Sequence, residues 1–290
     1  MNTLRKISQI IEPQNAIEGA GVRLRRSISP RVSNEFDPFL LFDHFAFNDP
    51  LEGPLRGFPY HPHRGIETVT FVRKGEVRHG DSLGHRGTIT AGDIQWMTSG
   101  SGIMHEEMPQ VRPEGIAGLQ LWLNLPAREK MSRPKYRDLQ ADRLTDVETD
   151  EGARMRVIAG EAAGGRHVGP VEGLAVAPKF LDVTLPAGAA FREVVPRGHT
   201  AFAYVDHGDV RFGPEATAVR APALVVFGDG DLVEASAGAG GGRFLLAAAR
   251  PIGEPIARYG PFVMNTRAEI EEALQELRTG RFIREEAREG

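Results

Sequence analysis

Two short stretches of this 290-residue chain carry side chains that could share a cation. The first is Phe58-Pro59-Tyr60-His61-Pro62-His63-Arg64-Gly65-Ile66-Glu67, with two histidines two residues apart. The second is Gly100-Ser101-Gly102-Ile103-Met104-His105-Glu106-Glu107, which sets His105 and Glu107 at the same spacing. On a strand, alternate side chains share a face, so His61 aligns with His63 and His105 with Glu107. On a helix the same spacing would splay each pair apart. Two such strands packed face to face would gather three imidazoles and a carboxylate around one point. That is a donor set for a divalent transition metal, with positions left open for a substrate. One His-x-His pair arises easily by chance, whereas two pairs of period two, each joined to a glycine-bearing turn, do not. Glu67, four residues after His63, shares that face if the strand is regular, and is a second candidate carboxylate.

The chain that must position these groups is ordinary in bulk, at 41% hydrophobic and 26% charged residues. A net charge of -4 offers no electrostatic footing for direct nucleic-acid or anionic-membrane binding. Cysteine is absent, so disulfides and thiolate ligands are excluded and any metal must be held by nitrogen and oxygen. No apolar run approaches the roughly 20 residues that span a bilayer. No apolar segment with a small-residue cleavage site follows Met1, so the expected location is the cytoplasm.

Glycine and proline punctuate short runs of Val, Ile, Leu, Thr and Phe, which reads as all-β, a sandwich or barrel of many short strands. Val22 to Ile28 alternates as a half-buried strand, with its arginines on the wet face. Phe39 to Phe45 reads as a buried strand, with His44 a hydrogen-bonded core or supporting residue. Glu67 to Arg73, Ile94 to Met97 and Leu119 to Leu125 follow as strands around the motif. His79 and His85 fall among turn residues and are expected at loop or rim positions. Residues 127–150 are charged and irregular, the best linker candidate. Short strands return at 155–158, 180–185, 201–205, 210–212, 224–227 and 244–248. This half resembles a second copy of the first without the paired donors. His167, His199 and His207 stand singly, so it is expected to bind no metal. The glycine-rich run Ala237 to Gly242 is expected to be a flexible hairpin turn. Thr266 and Glu269 stand at capping-box spacing before Ile270, Ala273, Leu274 and Leu277, predicting one amphipathic helix that Gly280 ends. Such a helix is expected to cover an open barrel end or the other domain.

The motifs also resemble a known family. Gly57 to Glu67 is similar to the first cupin motif, and Gly100 to His105 to the second. A closer resemblance, to the pirin family, is carried by Phe42-Asp43-His44-Phe45, His61-Pro62-His63-Arg64-Gly65-Ile66-Glu67-Thr68-Val69 and Gly92-Asp93-Ile94-Gln95-Trp96-Met97-Thr98. Gly102 to Glu107, Leu119 to Trp122 with Asn124-Leu125-Pro126, and Tyr259-Gly260-Pro261-Phe262-Val263-Met264-Asn265-Thr266 extend it. The resemblance implies a bicupin of two jelly-roll β-barrels with a short C-terminal helix. The expected division is a metal-binding domain over 1–135 and a metal-free domain over 136–290. It implies one metal ion, Fe(II), held by His61, His63, His105 and Glu107, with Glu67 orienting a ligand imidazole. It implies a quercetin 2,3-dioxygenase, in which Glu107 takes the proton of a flavonol hydroxyl while O2 cleaves the ring. Phe47, Phe58, Phe71, Trp96 and Met97 are candidates for the cavity wall. The other reading is an iron-dependent regulatory protein that docks a transcription factor or enzyme as its partner. Arg23, Arg25, Arg26 and Arg64 mark where such a partner would be sought.

Overall fold

The computed structural model describes residues 3–29, 34–46 and 56–284. The chain divides into two compact units, one of residues 14–141 and 252–290, the other of residues 1–13 and 142–251. The expected border at 135/136 therefore falls inside a strand, Lys135–Leu139, and the two ends of the chain join units other than the expected ones.

The first unit is a sandwich of two antiparallel sheets. The larger runs in the order Lys135–Leu139, Ile94–Thr98, Ile66–Lys74, Ala117–Asn124, Phe39–Phe45, Val22–Ile28, Gln14–Glu18. The smaller runs Phe58–His63, Ile103–Pro109, Glu76–Asp81, Arg86–Thr90. Between them lie Val22, Leu24, Phe45, Val72, Val77, Ile89 and Ile116, as alternation of apolar with polar residues along each strand requires. Pro59 and Pro62 are tolerated because Phe58–His63 is an edge strand, where a missing N–H costs no ladder bond.

The chain's end closes this unit. Thr266 caps the helix Arg267–Arg278: its hydroxyl accepts the Glu269 N–H and the Glu269 carboxylate accepts the Thr266 N–H, the expected capping box. Ile270 and Ala273 are buried against Phe262, Met264 and Phe282. Arg64, 1% exposed, reaches Glu276 of the helix at 2.5 Å and lies 4.6 Å from the centre of the Phe282 ring. Lys130, equally buried, donates to the carbonyls of Gly65 (3.0 Å) and Val263 (2.8 Å) and to Asn124 Oδ1 (2.7 Å). Gly65 must be glycine: its φ is +78° and a Cβ there would stand 2.0 Å from the Val263 carbonyl oxygen.

The second unit repeats this plan. Its sheet runs Ile7–Ile11, Ala223–Phe227, Thr200–Phe212, Leu232–Ala249, Lys179–Leu185, Arg154–Ala159, Thr145–Glu148, with Ala190–Val194 and Thr217–Arg220 branching from the two long strands. Each long strand does the work of two in the first unit: pairings shift register between Val205 and His207 and between Gly208 and Val210. The run Ala237 to Gly242, expected to be a hairpin turn, lies inside Leu232–Ala249. Its glycines let the strand bend at a bulge, Gly241 adopting φ +70°, and leave one sheet partner for another without reversing. The strand placed like Phe58–His63 is Ala190–Val194, which carries no histidine.

Candidate metal centre

His61 and His63 lie on the edge strand Phe58–His63, and His105 and Glu107 on its hydrogen-bonded neighbour, Ile103–Pro109. The two strands were expected face to face; they lie side by side in one sheet, His105 directly opposite His61. Directly paired residues share a face, so the three imidazoles converge from adjacent strands. Ring centroids of His61 and His105 are 4.4 Å apart, and those of His63 and His105 are 5.0 Å apart. The potential donor nitrogens of all three lie within 4.8 Å of one another.

The protonation of these rings suits a cation. His61 Nδ1 faces the Pro59 carbonyl at 2.8 Å, which can only accept, so Nδ1 carries a hydrogen and Nε2 is the ring nitrogen turned toward the other imidazoles. That Nε2 lies 3.0 Å from His63 Nε2. Both ring nitrogens of His105, which is fully buried, lack a hydrogen-bond partner. Burial, and then the neighbouring imidazoles, hold His63 and His105 well below the usual histidine value, so both stay neutral. Buried lone pairs without donors cost stability, and a cation among them removes that cost. The residues present therefore fit a single metal ion held by nitrogen.

Glu107 stands apart from that trio. The pairing slips between His105 and Glu107, setting Glu107 opposite Phe58, and such an irregularity re-aims a side chain. Its carboxylate accepts the Thr70 hydroxyl at 2.7 Å and the Gln120 amide at 3.0 Å. It nevertheless lines the same cavity as His61 and His63. Glu67, 3% exposed, accepts the Thr98 hydroxyl at 2.7 Å, and burial raises its carboxyl. The expectation that it orients an imidazole is corrected: its carboxylate takes the Thr98 hydroxyl, while the ring nitrogens of His61, His63 and His105 make no hydrogen bond to it.

The cavity holds about 430 Å³. Leu41, Phe58 and Trp122 give it apolar walls, and Glu18, Arg26 and Asp43 a charged one. Arg26 grips Asp43 through two 2.7 Å hydrogen bonds and Glu18 through a third. The Trp122 ring stands edge-on to His63 with centroids 5.1 Å apart. Of the expected wall residues Phe58 lines the cavity, Phe71, Trp96 and Met97 are buried core, and Phe47 lies outside the described residues. Gln120, Trp122, Leu41 and Asp43 were missed. One signal was available, since Gln120 is the lone polar residue inside Leu119–Leu123 and alternation puts it on the face of Trp122. His44 is buried on the strand face opposite to Leu41 and Asp43. His79, expected on a loop, is a buried strand residue opposite Glu107 with Nε2 3.1 Å from Asp138, while His85 is exposed in the turn that follows Asp81. Arg64 is not the exposed charge expected of a docking surface, being buried against Glu276.

Among the described residues no helix is long and apolar enough to cross a membrane. Residues 21–123 match the family model described as Pirin, and residues 180–283 the model described as Pirin C-terminal cupin domain. A pirin-like protein of Caulobacter vibrioides is 43% identical, over 96% of this chain and 99% of its own length. Pirin of Homo sapiens is 38% identical over 97% of this chain and 95% of its own. Among solved structures, one described as quercetin 2,3-dioxygenase from Acinetobacter baumannii superposes with a TM-score of 0.87 at 34% identity, covering 97% of this chain and 99% of that one. With both family models matched in order and full-length relatives well above 30% identity, the chain, a bicupin, belongs to the pirin family.

Proposed function

We propose that this protein is a metal-dependent dioxygenase that opens the ring of a quercetin-type flavonol. The observation that carries the reading is the group of three imidazoles beside a mostly apolar cavity of about 430 Å³. A planar polyphenol matches such a space, and the structure described as a quercetin dioxygenase shares the fold over nearly its whole length. Held by His61, His63 and His105, with Glu107 completing the set, an iron(II) ion would supply Lewis acidity toward a ring hydroxyl and electron exchange with dioxygen.

The chain's own groups do the rest. Phe58, Leu41 and Trp122 bury the substrate's faces and exclude water, which strengthens every polar interaction inside. Glu107 accepts the proton of the flavonol hydroxyl brought beside it. Thr70 and Gln120, which hydrogen-bond both of its oxygens, fix the carboxylate on the cavity wall and release it as the proton arrives. In the net reaction both atoms of dioxygen enter the ester product, while the ring carbon that bore the hydroxyl leaves with its own oxygen as carbon monoxide.

The test is metal analysis of purified protein, then reconstitution with Fe(II) and quercetin under air. Oxygen uptake matched by carbon monoxide release is expected. A fully metallated sample that turns over no flavonol would remove the reading.

A further inference from the structure

One wall of the three-histidine cavity is charged where the rest is mostly apolar. Arg26, on Val22–Ile28, and Asp43, on Phe39–Phe45, are direct partners on neighbouring strands. Both line the cavity, as does Glu18 on the adjoining strand. Asp43 is buried, and the Arg26 side chain is 15% exposed. Ions held in such a wall lose hydration, and an apolar pair of similar volume is often at least as stable. Packing alone gives no reason for charge here.

The wall's donors and acceptors can be counted. A guanidinium has five hydrogens. Arg26 spends two on Asp43, from Nε to Oδ1 and from Nη2 to Oδ2, and one on Glu18, from Nη1 to Oε1, all at 2.7 Å. Among the described residues these are its acceptors, so Nη1 and Nη2 each keep one hydrogen. Each engaged carboxylate oxygen keeps a second lone pair. A hydroxyl uses both halves of such a wall, accepting from a spare N–H and donating to a carboxylate. Asp43 and Glu18 sit on different arms of Arg26, so two neighbouring hydroxyls can be served at once. Two carboxylates against one guanidinium disfavour an anionic substituent.

Register supplies the length scale. Arg26, Asp43 and Gln120 form one row across three strands, and Gln120 holds Glu107. Two strand spacings separate the ends of that row, about 10 Å, comparable with the length of a flavonol.

We infer that Arg26, Asp43 and Glu18 determine specificity in this cavity by selecting flavonols with two adjacent hydroxyls on the pendant ring. This rests on the proposed flavonol chemistry for the shape of the ligand, and on the charged wall for its hydroxyl pattern. One end of the substrate meets Glu107, and the pendant ring meets Arg26 and its two carboxylates.

Anaerobic titration of the Fe(II)-loaded protein tests this without turnover, read by quenching of tryptophan fluorescence, since Trp122 lines the cavity. Quercetin, kaempferol and galangin carry two, one and no hydroxyls on the pendant ring. Their dissociation constants should rise in that order, by about tenfold or more from first to last, because each missing hydroxyl leaves polar groups of the wall unpaired. Arg26→Met combined with Asp43→Leu removes both charges of the buried pair and should bind the three flavonols alike, with metal content unchanged. Should that variant not fold, Glu18→Ala, at a side chain 43% exposed, should narrow the gap between quercetin and kaempferol. Equal affinity of the wild type for quercetin and galangin overturns the inference. So does a preference that survives in the folded double variant, or an unchanged gap in Glu18→Ala. Flavonols bound in the expected order but never turned over under air would remove the dioxygenase reading and keep the selecting wall. Flavonols turned over but bound alike would do the reverse.

Discussion

Replacing Lys130 with methionine tests how the turn after His63 is held. The side-chain nitrogen meets three acceptors, Gly65 O, Asn124 Oδ1 and Val263 O, at 2.7–3.0 Å, which an ammonium satisfies together and a neutral amine two at a time. Methionine fills similar volume and leaves all three without that donor, at about 1 kcal/mol or more each, so a loss of ~3 kcal/mol is expected. An opposing effect works through the charge. Burial lowers this amine from 10.5 to about 7, so between those values the folded chain binds fewer protons than the unfolded one. Stability attributable to Lys130 therefore rises with pH through that window, by ~1.4 kcal/mol per pH unit. Between pH 6.5 and pH 9 the wild type should gain on the order of 2–3 kcal/mol that Lys130→Met cannot. The substitution should thus cost more at pH 9 than at pH 6.5. Both tryptophans, Trp96 and Trp122, lie in the metal-bearing unit, so fluorescence during urea unfolding reports that unit alone. A cost that is absent, or the same at both pH values, would refute the reasoning.

Arg64→Met should cost about 3 kcal/mol, because Glu276 keeps a partly buried charge without its partner, and adding Glu276→Leu should recover part of it in the same unfolding assay. Glu107→Gln should depress turnover more than Glu67→Gln, and metal analysis should show the greater metal loss for Glu107→Gln; the opposite order would make Glu67 the functional carboxylate. Chelating the metal should lower the fluorescence midpoint, by about 3–4 kcal/mol if the free ion had stood at 100 to 1,000 times its dissociation constant. Thr266→Ala should cost about 1 kcal/mol through loss of the helix cap, with metal content unchanged.

The histidine trio was legible because period-two spacing converts directly into a shared face on a strand. The helix was legible because its cap and its apolar stripe agree at Thr266, Glu269, Ile270 and Ala273. What was illegible depends on register and on long-range closure. Nothing local reveals that Glu107 meets Phe58 rather than Pro59, and that one-residue slip gives its carboxylate to Thr70 and Gln120. Glu67 fits the spacing of an imidazole partner, yet its carboxylate is taken by the Thr98 hydroxyl. Arg64 reads as surface charge until a residue 212 positions later covers it. The glycines of Ala237 to Gly242 have turn composition, but the pairing on both sides makes them a bend within one strand.

The metal-bearing unit takes its last pieces from residues 262–282, which follow the whole of the other unit's main segment, 142–251. During synthesis on the ribosome, His61, His63 and His105 emerge long before Val263, Glu276 and Phe282, the residues that seat Gly65 and Arg64. The nascent barrel must wait, unlatched, while the whole second barrel is made. A stop codon anywhere before the final helix should therefore strip a centre some two hundred residues upstream of its support.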